Sequence, residues 1–224
     1  MADDDATLSG KLKDKLIDSK QKWAADGRLL TGKTAAHSER LPPGQRRVDN
    51  WPVLDLGIQP EIPLHAWRLF VDGAVEQPMT FKWGEFTDLP KVALTSDIHC
   101  VTAWSRYDNQ WEGVSARTLL DLVKPRHEAQ YVIFHSYDTY TTNVPLTDFE
   151  ADDALLAWSW NGQPISREHG GPLRVVIPKL YFWKSAKWIK RIELSVIDKP
   201  GFWEVRGYHN YGDPWLEQRY DEEA

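Results

Sequence analysis

The chain has 224 residues, of which 42% are hydrophobic and 27% are charged, and its formal net charge is −6. This length suits one large domain with a sizeable core, and the acidic balance argues against a general nucleic-acid binder, which would carry a basic excess. No run approaches the roughly 18 apolar residues of a membrane helix. The acidic start over residues 1–5 does not resemble an export leader, which predicts a cytoplasmic protein.

The first predicted element is a helix over residues 7–27. Leu8, Leu12 and Leu16 recur every four residues, lysines and aspartates fill the other faces, and Gly27 provides a stop. The apolar stripe is narrow, as expected for a helix that packs on the surface of a domain. A partner-binding helix and a membrane-surface helix are the alternatives.

The remainder is predicted as a single domain over residues 31–224, preceded by a helical arm over residues 1–30. Residues 31–63 contain five prolines, which forbid a long helix and predict an extended segment. Long ordered segments of this kind tend to carry function.

Short strands dominate from residue 64 onward, so the fold class is α+β, mixed and strand-rich, with few short helices. Ser115 is placed to cap a helix that ends near Pro125, and Asn161-Gly162 is a strong hairpin signal. The predicted strands lie at residues 67–71, 131–135, 140–144, 155–160, 173–177 and 192–196.

Cys100 is the only cysteine, and small polar residues and a tryptophan follow it in the run CVTAWS over residues 100–105. It cannot form an internal disulfide. A lone soft sulfur is either a small buried filler or a ligand for a redox metal. The histidines show no paired spacing for zinc. A cysteine nucleophile with His169 or His209 as its base remains open.

A basic stretch lies later in the chain. Six basic residues and no acidic one occur between Arg174 and Arg191, in a protein that is acidic as a whole. Arginine and lysine bind phosphate, and the preceding Gly170-Gly171 permits close backbone approach to a ligand. This reversal of charge predicts an anion site. An edge strand with lysines on its solvent face is the alternative.

Three motifs, CVTAWS at 100–105, HGGPLRVVIP at 169–178 and KSAKWI at 184–189, resemble the molybdopterin-binding domain of the sulfite oxidase family. Two shorter matches, at 42–53 and 140–146, lie in the expected order. The resemblance covers most of the chain and implies the strand-rich molybdopterin-binding fold of that family.

The resemblance implies a role for individual residues. Cys100 would be the thiolate ligand of molybdenum on a molybdopterin cofactor. Tyr208 matches the active-site tyrosine of the family, and Arg106, with Arg206, would set the charge and hydrogen bonding of the substrate. The residues implied to hold the cofactor are Asn50, Cys100, Thr102, His169, Arg174, Lys184, Ser185 and Lys187.

The chain departs from the sulfite oxidases around this site. They carry Arg-Asn-His where this chain has Asp49-Asn50-Trp51, and Arg106 lies one place later than their arginine. These replacements remove positive groups that a pocket for the sulfite dianion needs.

The resemblance implies oxygen-atom transfer to or from a small sulfur- or nitrogen-containing substrate, with electrons exchanged with a separate partner protein. A metal-free cysteine-dependent hydrolase or transferase that uses Cys100 is the alternative, as is a non-catalytic redox module.

Overall fold

The computed structural model describes residues 14–19, 21–22 and 39–221. The described strands, in chain order, are β1 Arg46–Arg47, β2 Arg68–Gly73, β3 Met79–Lys82, β4 Lys91–Cys100, β5 Trp104–Ser115, β6 Tyr131–Ser136, β7 Thr141–Pro145, β8 Leu155–Trp160, β9 Gln163–Pro164, β10 Arg174–Val176 and β11 Ile189–Ser195. Helix α1 comprises residues 14–19 and 21–22, and the later helices are α2 Trp83–Thr87, α3 Ala116–Val123 and α4 Leu146–Phe149.

The strands form two sheets. In the first sheet the order is β1-β5-β8-β10, with β4 added on β5 and β9 added on β8. In the second sheet the order is β3-β2-β11-β6-β7. The pairs β1–β5 and β2–β11 are parallel and the others are antiparallel. The architecture is therefore strand-rich with few helices, as predicted.

Two hydrophobic clusters pack on these sheets. The larger one contains aliphatic and phenylalanine side chains from both sheets and from α3, including Leu69, Leu119, Phe134 and Leu156. The smaller one is rich in aromatic residues and includes Cys100. The lone cysteine therefore lies among rings, at one end of the first sheet, and apart from the main core.

Most predicted elements are confirmed. Helix α3 begins after Ser115, whose hydroxyl oxygen accepts a hydrogen bond from the Thr118 amide at 3.1 Å. The chain turns at Asn161-Gly162 between β8 and β9, and no helix occurs in the proline-rich segment over residues 39–63. Of the helix predicted over 7–27, residues 14–19 and 21–22 are helical; the others lie outside the described residues. Among the described helices, none is long and apolar enough to cross a membrane.

The long hairpin of β4 and β5 was not predicted, although it positions Cys100. Its strands have ten and twelve residues, and their register shifts between Ser96 and Ile98. A bulge of this kind interrupts the alternation of apolar and polar residues from which strands are predicted.

Candidate functional site

Cys100 is the last residue of β4, and the turn 101–103 leads directly into β5. Ala103 has a positive φ of 66°, and its amide donates to the Cys100 carbonyl at 3.0 Å, which closes the turn. The same carbonyl accepts a hydrogen bond from Gln45 Nε2 at 2.9 Å. The backbone at Cys100 is therefore fixed by its own hairpin and by the segment that precedes β1.

The side chain of Cys100 faces a pocket with a cavity volume of about 140 Å³. The pocket lies between the hairpin turn and four further segments, which hold residues 51–56, 136–140, 169–188 and 203–208. Seven of the residues predicted for the site line it: Cys100, Thr102, His169, Arg174, Ser185, Lys187 and Tyr208. Side chains separated by more than 100 positions in the chain are thus brought to one place.

The thiol of Cys100 is buried, with 5% of the residue exposed. Its sulfur lies 3.1 Å from Thr102 Oγ1. Burial raises the pKa of the thiol, while the hydrogen bond to Thr102 and the positive charge of Arg219 act in the opposite direction. A metal that binds here must displace the thiol proton, because the thiolate is the ligand.

Arg174 is a buried cation at the pocket wall, with 2% of the residue exposed. Its guanidinium donates to the carbonyls of His169 at 2.7 Å and Ser185 at 2.8 Å, and lies 4.1 Å from the ring centroid of Phe182. Across the described residues, no carboxylate forms an ion pair with it. Burial lowers its pKa to about 9. A buried cation without a counter-ion suits a bound anion.

His169 and Lys187 lie on the same wall. Burial, followed by the charges of Arg174 and Lys187, lowers the pKa of His169 to about 4, so its imidazole is neutral at pH 7. The ammonium of Lys187 donates to the carbonyls of Leu54 and Glu168, both at 2.8 Å. This wall therefore presents a neutral imidazole flanked by two cations.

Tyr208 also lines the pocket and is buried. Its ring stacks on Trp203 with 4.9 Å between centroids and meets the edge of Trp183 at 5.2 Å. Burial raises its pKa, and the charges of Tyr220 and Cys100 act in the same direction. The hydroxyl therefore stays protonated and can donate a hydrogen bond.

Two predicted residues, Asn50 and Arg106, lie outside this lining. Asn50 is exposed, because the ring of the next residue, Trp51, occupies the wall beside His169. The guanidinium of Arg106 donates to the carbonyl of Asp49 at 3.2 Å and lies 4.6 Å from the ring of Trp160. These contacts hold Arg106 on the outer side of the aromatic cluster.

Lys184 is also outside the lining, because its fully buried ammonium forms an ion pair with Glu204 at 2.6 Å. It also donates to the carbonyls of Asn143 and Asn210. The same oxygen of Glu204 accepts from Thr142 and Trp183. The arrangement ties the turn Phe182–Lys184 to the turn Glu204–Arg206. Arg206 itself is exposed, with its guanidinium over the ring of Phe202.

The sequence analysis missed most of the aromatic wall of the pocket. Its rings come from distant segments of the chain. In the lining, Trp51, Trp104, Tyr140 and Trp188 stand in the matched stretches, whereas Phe182, Trp183 and Trp203 stand outside them. The available signal was the count of 12 tryptophans, since large rings frequently wall pockets as well as fill cores.

The donor set fits a metal cofactor that brings its own ligands. In the parts of the chain that the structure describes, no three histidine, cysteine, aspartate or glutamate side chains cluster to hold a metal. A metal at Cys100 would therefore take its other ligands from outside the protein. The buried charge of Arg174 suits a cofactor that carries an anionic group.

Comparison with known sequences agrees with this chemistry. The model of the oxidoreductase molybdopterin binding domain matches residues 56–203. The uncharacterized oxidoreductase YuiH of Bacillus subtilis is 46% identical over 195 residues, which cover 86% of this chain and 98% of YuiH. The protein-methionine-sulfoxide reductase catalytic subunit MsrP of Ralstonia nicotianae is 29% identical over 167 residues, which cover 66% of this chain and 49% of MsrP.

The chain thus spans about half the length of MsrP. Among solved structures, the sulfane dehydrogenase SoxCD from Paracoccus pantotrophus matches with a TM-score of 0.59 and 20% identity, over 66% of this chain and 42% of that chain. This likeness shows a shared fold. The chain therefore belongs to the oxidoreductase molybdopterin-binding domain family, and its cofactor is molybdopterin with molybdenum.

Proposed function

We propose that the protein is a molybdenum-dependent oxidoreductase that transfers an oxygen atom to or from a small sulfur- or nitrogen-containing substrate. The observation that carries this proposal is the position of Cys100, whose thiol lies in the same pocket as the buried cation Arg174, with which no carboxylate of the described residues forms an ion pair. The bound cofactor supplies the two-electron chemistry.

The residues of the pocket would bind the cofactor both through its metal and through its anionic group. Cys100, as its thiolate, would be the protein's ligand to the metal, and the hydroxyl of Thr102, 3.1 Å from the sulfur, would fix its orientation. Arg174 and Lys187 supply positive charge for the anionic end of the cofactor, and His169, neutral at pH 7, supplies a hydrogen-bonding ring edge without adding charge.

Tyr208 is placed to orient the substrate. Its hydroxyl remains protonated, and its ring is held by Trp203 and Trp183 in the wall that contains the thiol. A protonated hydroxyl donates a hydrogen bond to the oxygen of a bound substrate. The surrounding rings exclude water and so strengthen that hydrogen bond.

We propose a neutral oxide, a sulfoxide or an N-oxide, as the substrate, and reduction as the direction. The sulfite dianion needs several positive groups, and Arg106 is held outside the lining by Asp49 and Trp160. The aromatic wall suits a neutral, partly apolar molecule. Relatives named as protein-methionine-sulfoxide reductases support the choice of a sulfoxide. The electrons would come from a separate partner protein.

A metal-free cysteine hydrolase fits the site less well. Its nucleophile needs an adjacent base. In the described part of the chain, Cys100 is hydrogen bonded to Thr102 and to no histidine. His209 lies outside the pocket lining, and its Nδ1 accepts from the amides of Tyr211 and Gly212.

The test is a dye-coupled assay of protein made in a host that supplies the cofactor. Dimethyl sulfoxide, methionine sulfoxide, trimethylamine N-oxide and sulfite are compared for the parent, Cys100→Ser and the exposed control Thr80→Ser. We expect molybdenum and oxide reduction in the parent and in Thr80→Ser, with turnover abolished in Cys100→Ser. Near-normal turnover in a molybdenum-loaded Cys100→Ser protein would refute the proposal.

A further inference from the structure

Helix α1 packs on the domain through one side. Ile17 is buried at 6% exposure, although its neighbours Leu16 and Asp18 are exposed. Leu16 Cδ1 approaches Gly57 so closely that a Cβ built there would lie 2.9 Å from it. Gln21 Nε2 donates to the carbonyl of Arg206 at 3.2 Å. The helix therefore contacts two segments that are far apart in the chain.

Both of these segments adjoin stretches of the chain that line the cofactor pocket. Gly57 directly follows Leu54, Asp55 and Leu56, which line the pocket. Its φ of +85° marks the turn at which the chain leaves that lining. The carbonyl of Leu54 is in turn bonded to Lys187.

The second contact lies beside another stretch of the lining. Arg206 closes the turn Glu204–Arg206, which is flanked by two further residues of the lining, Trp203 and Tyr208. The α1 contacts therefore join two loops that no other described hydrogen bond between their backbones connects. Separating these loops would widen the pocket on the side of the proposed substrate-orienting residue.

We propose that α1 acts as a size filter. By contacting both the 54–57 loop and the 203–208 loop, it holds the two loops together and narrows the entrance to the pocket. The site then accepts a sulfoxide or N-oxide on a free small molecule and rejects the same group on the surface of a folded protein. The substrate class rests on the proposed function, whereas the narrowed entrance rests on the α1 contacts alone.

The entrance can be tested without turnover, because Cys100 is the only cysteine in the chain and reports access to the pocket. In full-length protein made without the cofactor, the rate of thiol modification is measured with iodoacetamide and with a maleimide carried on a long polyethylene glycol. The ratio of the two rates cancels the intrinsic reactivity of the thiol.

Ile17→Asp and, separately, Gln21→Ala weaken the packing of α1 on the domain. Lys15→Ala, at an exposed position of the same helix, is the matched control. We expect the bulky reagent to react about tenfold faster with Ile17→Asp, which corresponds to about 1.4 kcal/mol in the opening equilibrium. The rate with iodoacetamide and the melting temperature should change little. Gln21→Ala should show a smaller rise, and Lys15→Ala none.

The proposal is overturned if the polyethylene glycol maleimide modifies the parent, Ile17→Asp and Gln21→Ala at equal rates. It is also overturned if this bulky reagent readily modifies the parent. In loaded protein, methionine sulfoxide is compared with an oxidised, folded protein as the substrate. We expect kcat/KM for the oxidised protein to rise in Ile17→Asp while that for the free amino acid is retained. A further outcome is that loaded protein reduces no oxide while the ratio of the two thiol-modification rates still changes in the α1 variants. That result would support α1 as a size filter and contradict the proposed function.

Discussion

The ring of Trp51 lies parallel to the imidazole of His169, with 3.9 Å between their centroids and 5° between their planes. The same tryptophan lies 5.3 Å from the guanidinium of Arg174 and 4.8 Å from the ring of Trp160. One side chain therefore covers two of the residues predicted to hold the cofactor, at a position where the sulfite oxidases carry a histidine.

Trp51→Ala is expected to weaken retention of the cofactor. An aromatic pair contributes about 1 kcal/mol beyond the area that it buries, so we expect the molybdenum bound per protein to fall by roughly fivefold. Trp51→Phe retains a ring and should retain most of the metal. The measurement is elemental analysis after dialysis. Unchanged metal content in Trp51→Ala would show that the stacking does not support the site.

Tyr208→Phe tests the hydroxyl group in the substrate pocket. The variant keeps the ring that stacks on Trp203, so the fold and the molybdenum content should be unchanged. Loss of one hydrogen bond of about 1.4 kcal/mol lowers kcat/KM for a sulfoxide by about tenfold. Steady-state kinetics with loaded protein measures this loss. Tyr220→Phe, which alters the more exposed neighbour, is the control and should be nearly neutral.

Glu204→Gln should be strongly destabilising, because it leaves the buried ammonium of Lys184 without its carboxylate. Breaking a buried ion pair costs about 3–5 kcal/mol. Lys184→Met combined with Glu204→Gln removes both charges. The double variant should lose much less free energy of unfolding than the sum of the losses in the two single variants. Urea unfolding measures the free energies.

The same double variant decides the role of Lys184, which was predicted to hold the cofactor. Since Lys184 lies outside the pocket lining, the folded double variant should carry as much molybdenum as the parent. A large loss of metal from folded protein would instead place Lys184 in contact with the cofactor.

Gly113→Ala is expected to disrupt the first sheet. A Cβ at Gly113 would lie 2.0 Å from the carbonyl oxygen of Leu156, where β5 and β8 shift register. Relief requires the strands to separate, so we expect a loss on the order of 3 kcal/mol in urea unfolding. Gly84→Ala in α2 is the matched control, because no atom lies within 4 Å of its Cβ. It should be neutral or slightly stabilising.

His135 contributes a pH dependence that is independent of the cofactor. Burial is the largest effect on its pKa and lowers it below 6.5; the hydrogen bond to Glu193 opposes this effect, and the charge of Arg191 adds to it. The unfolded chain therefore binds more protons, and the free energy of unfolding falls as the pH drops through 6.5.

We expect His135→Gln to reduce this fall between about pH 7.5 and 5.5. Denaturant titrations across that range measure it, with the exposed His65→Gln as the control. A slope that is identical in the parent and in His135→Gln would contradict the predicted direction of the shift.

The fold class and most short elements followed from local patterns. Ser115 predicted the start of α3, and Asn161-Gly162 predicted a turn, because these signals depend only on neighbouring residues. The order of the strands in the sheets could not be predicted from such local patterns. The parallel pairing of β2 with β11 depends on contacts between residues about 120 positions apart in the chain, such as Phe70 and Arg191.

The site was partly predictable for a similar reason. Cys100, Thr102, His169, Arg174, Ser185 and Lys187 stand in local motifs, and the structure brings them together. Arg219 and part of the aromatic wall, such as Phe182 and Trp183, stand in no motif. Arg219 reaches the turn after Cys100 only through the tertiary fold, where it donates to the carbonyl of Val101 at 2.7 Å. Lys184 lies within a matching motif but points to Glu204, because neighbours in a turn face different directions.

The parallel pairing of β2 with β11 also sets an order of events in the cell. A chain emerging from the ribosome exposes β2 early, but β11, the last of the described strands, and the loop that carries Trp203 and Tyr208 follow more than 100 residues later. The second sheet and one wall of the pocket therefore cannot form until translation of the domain is nearly complete.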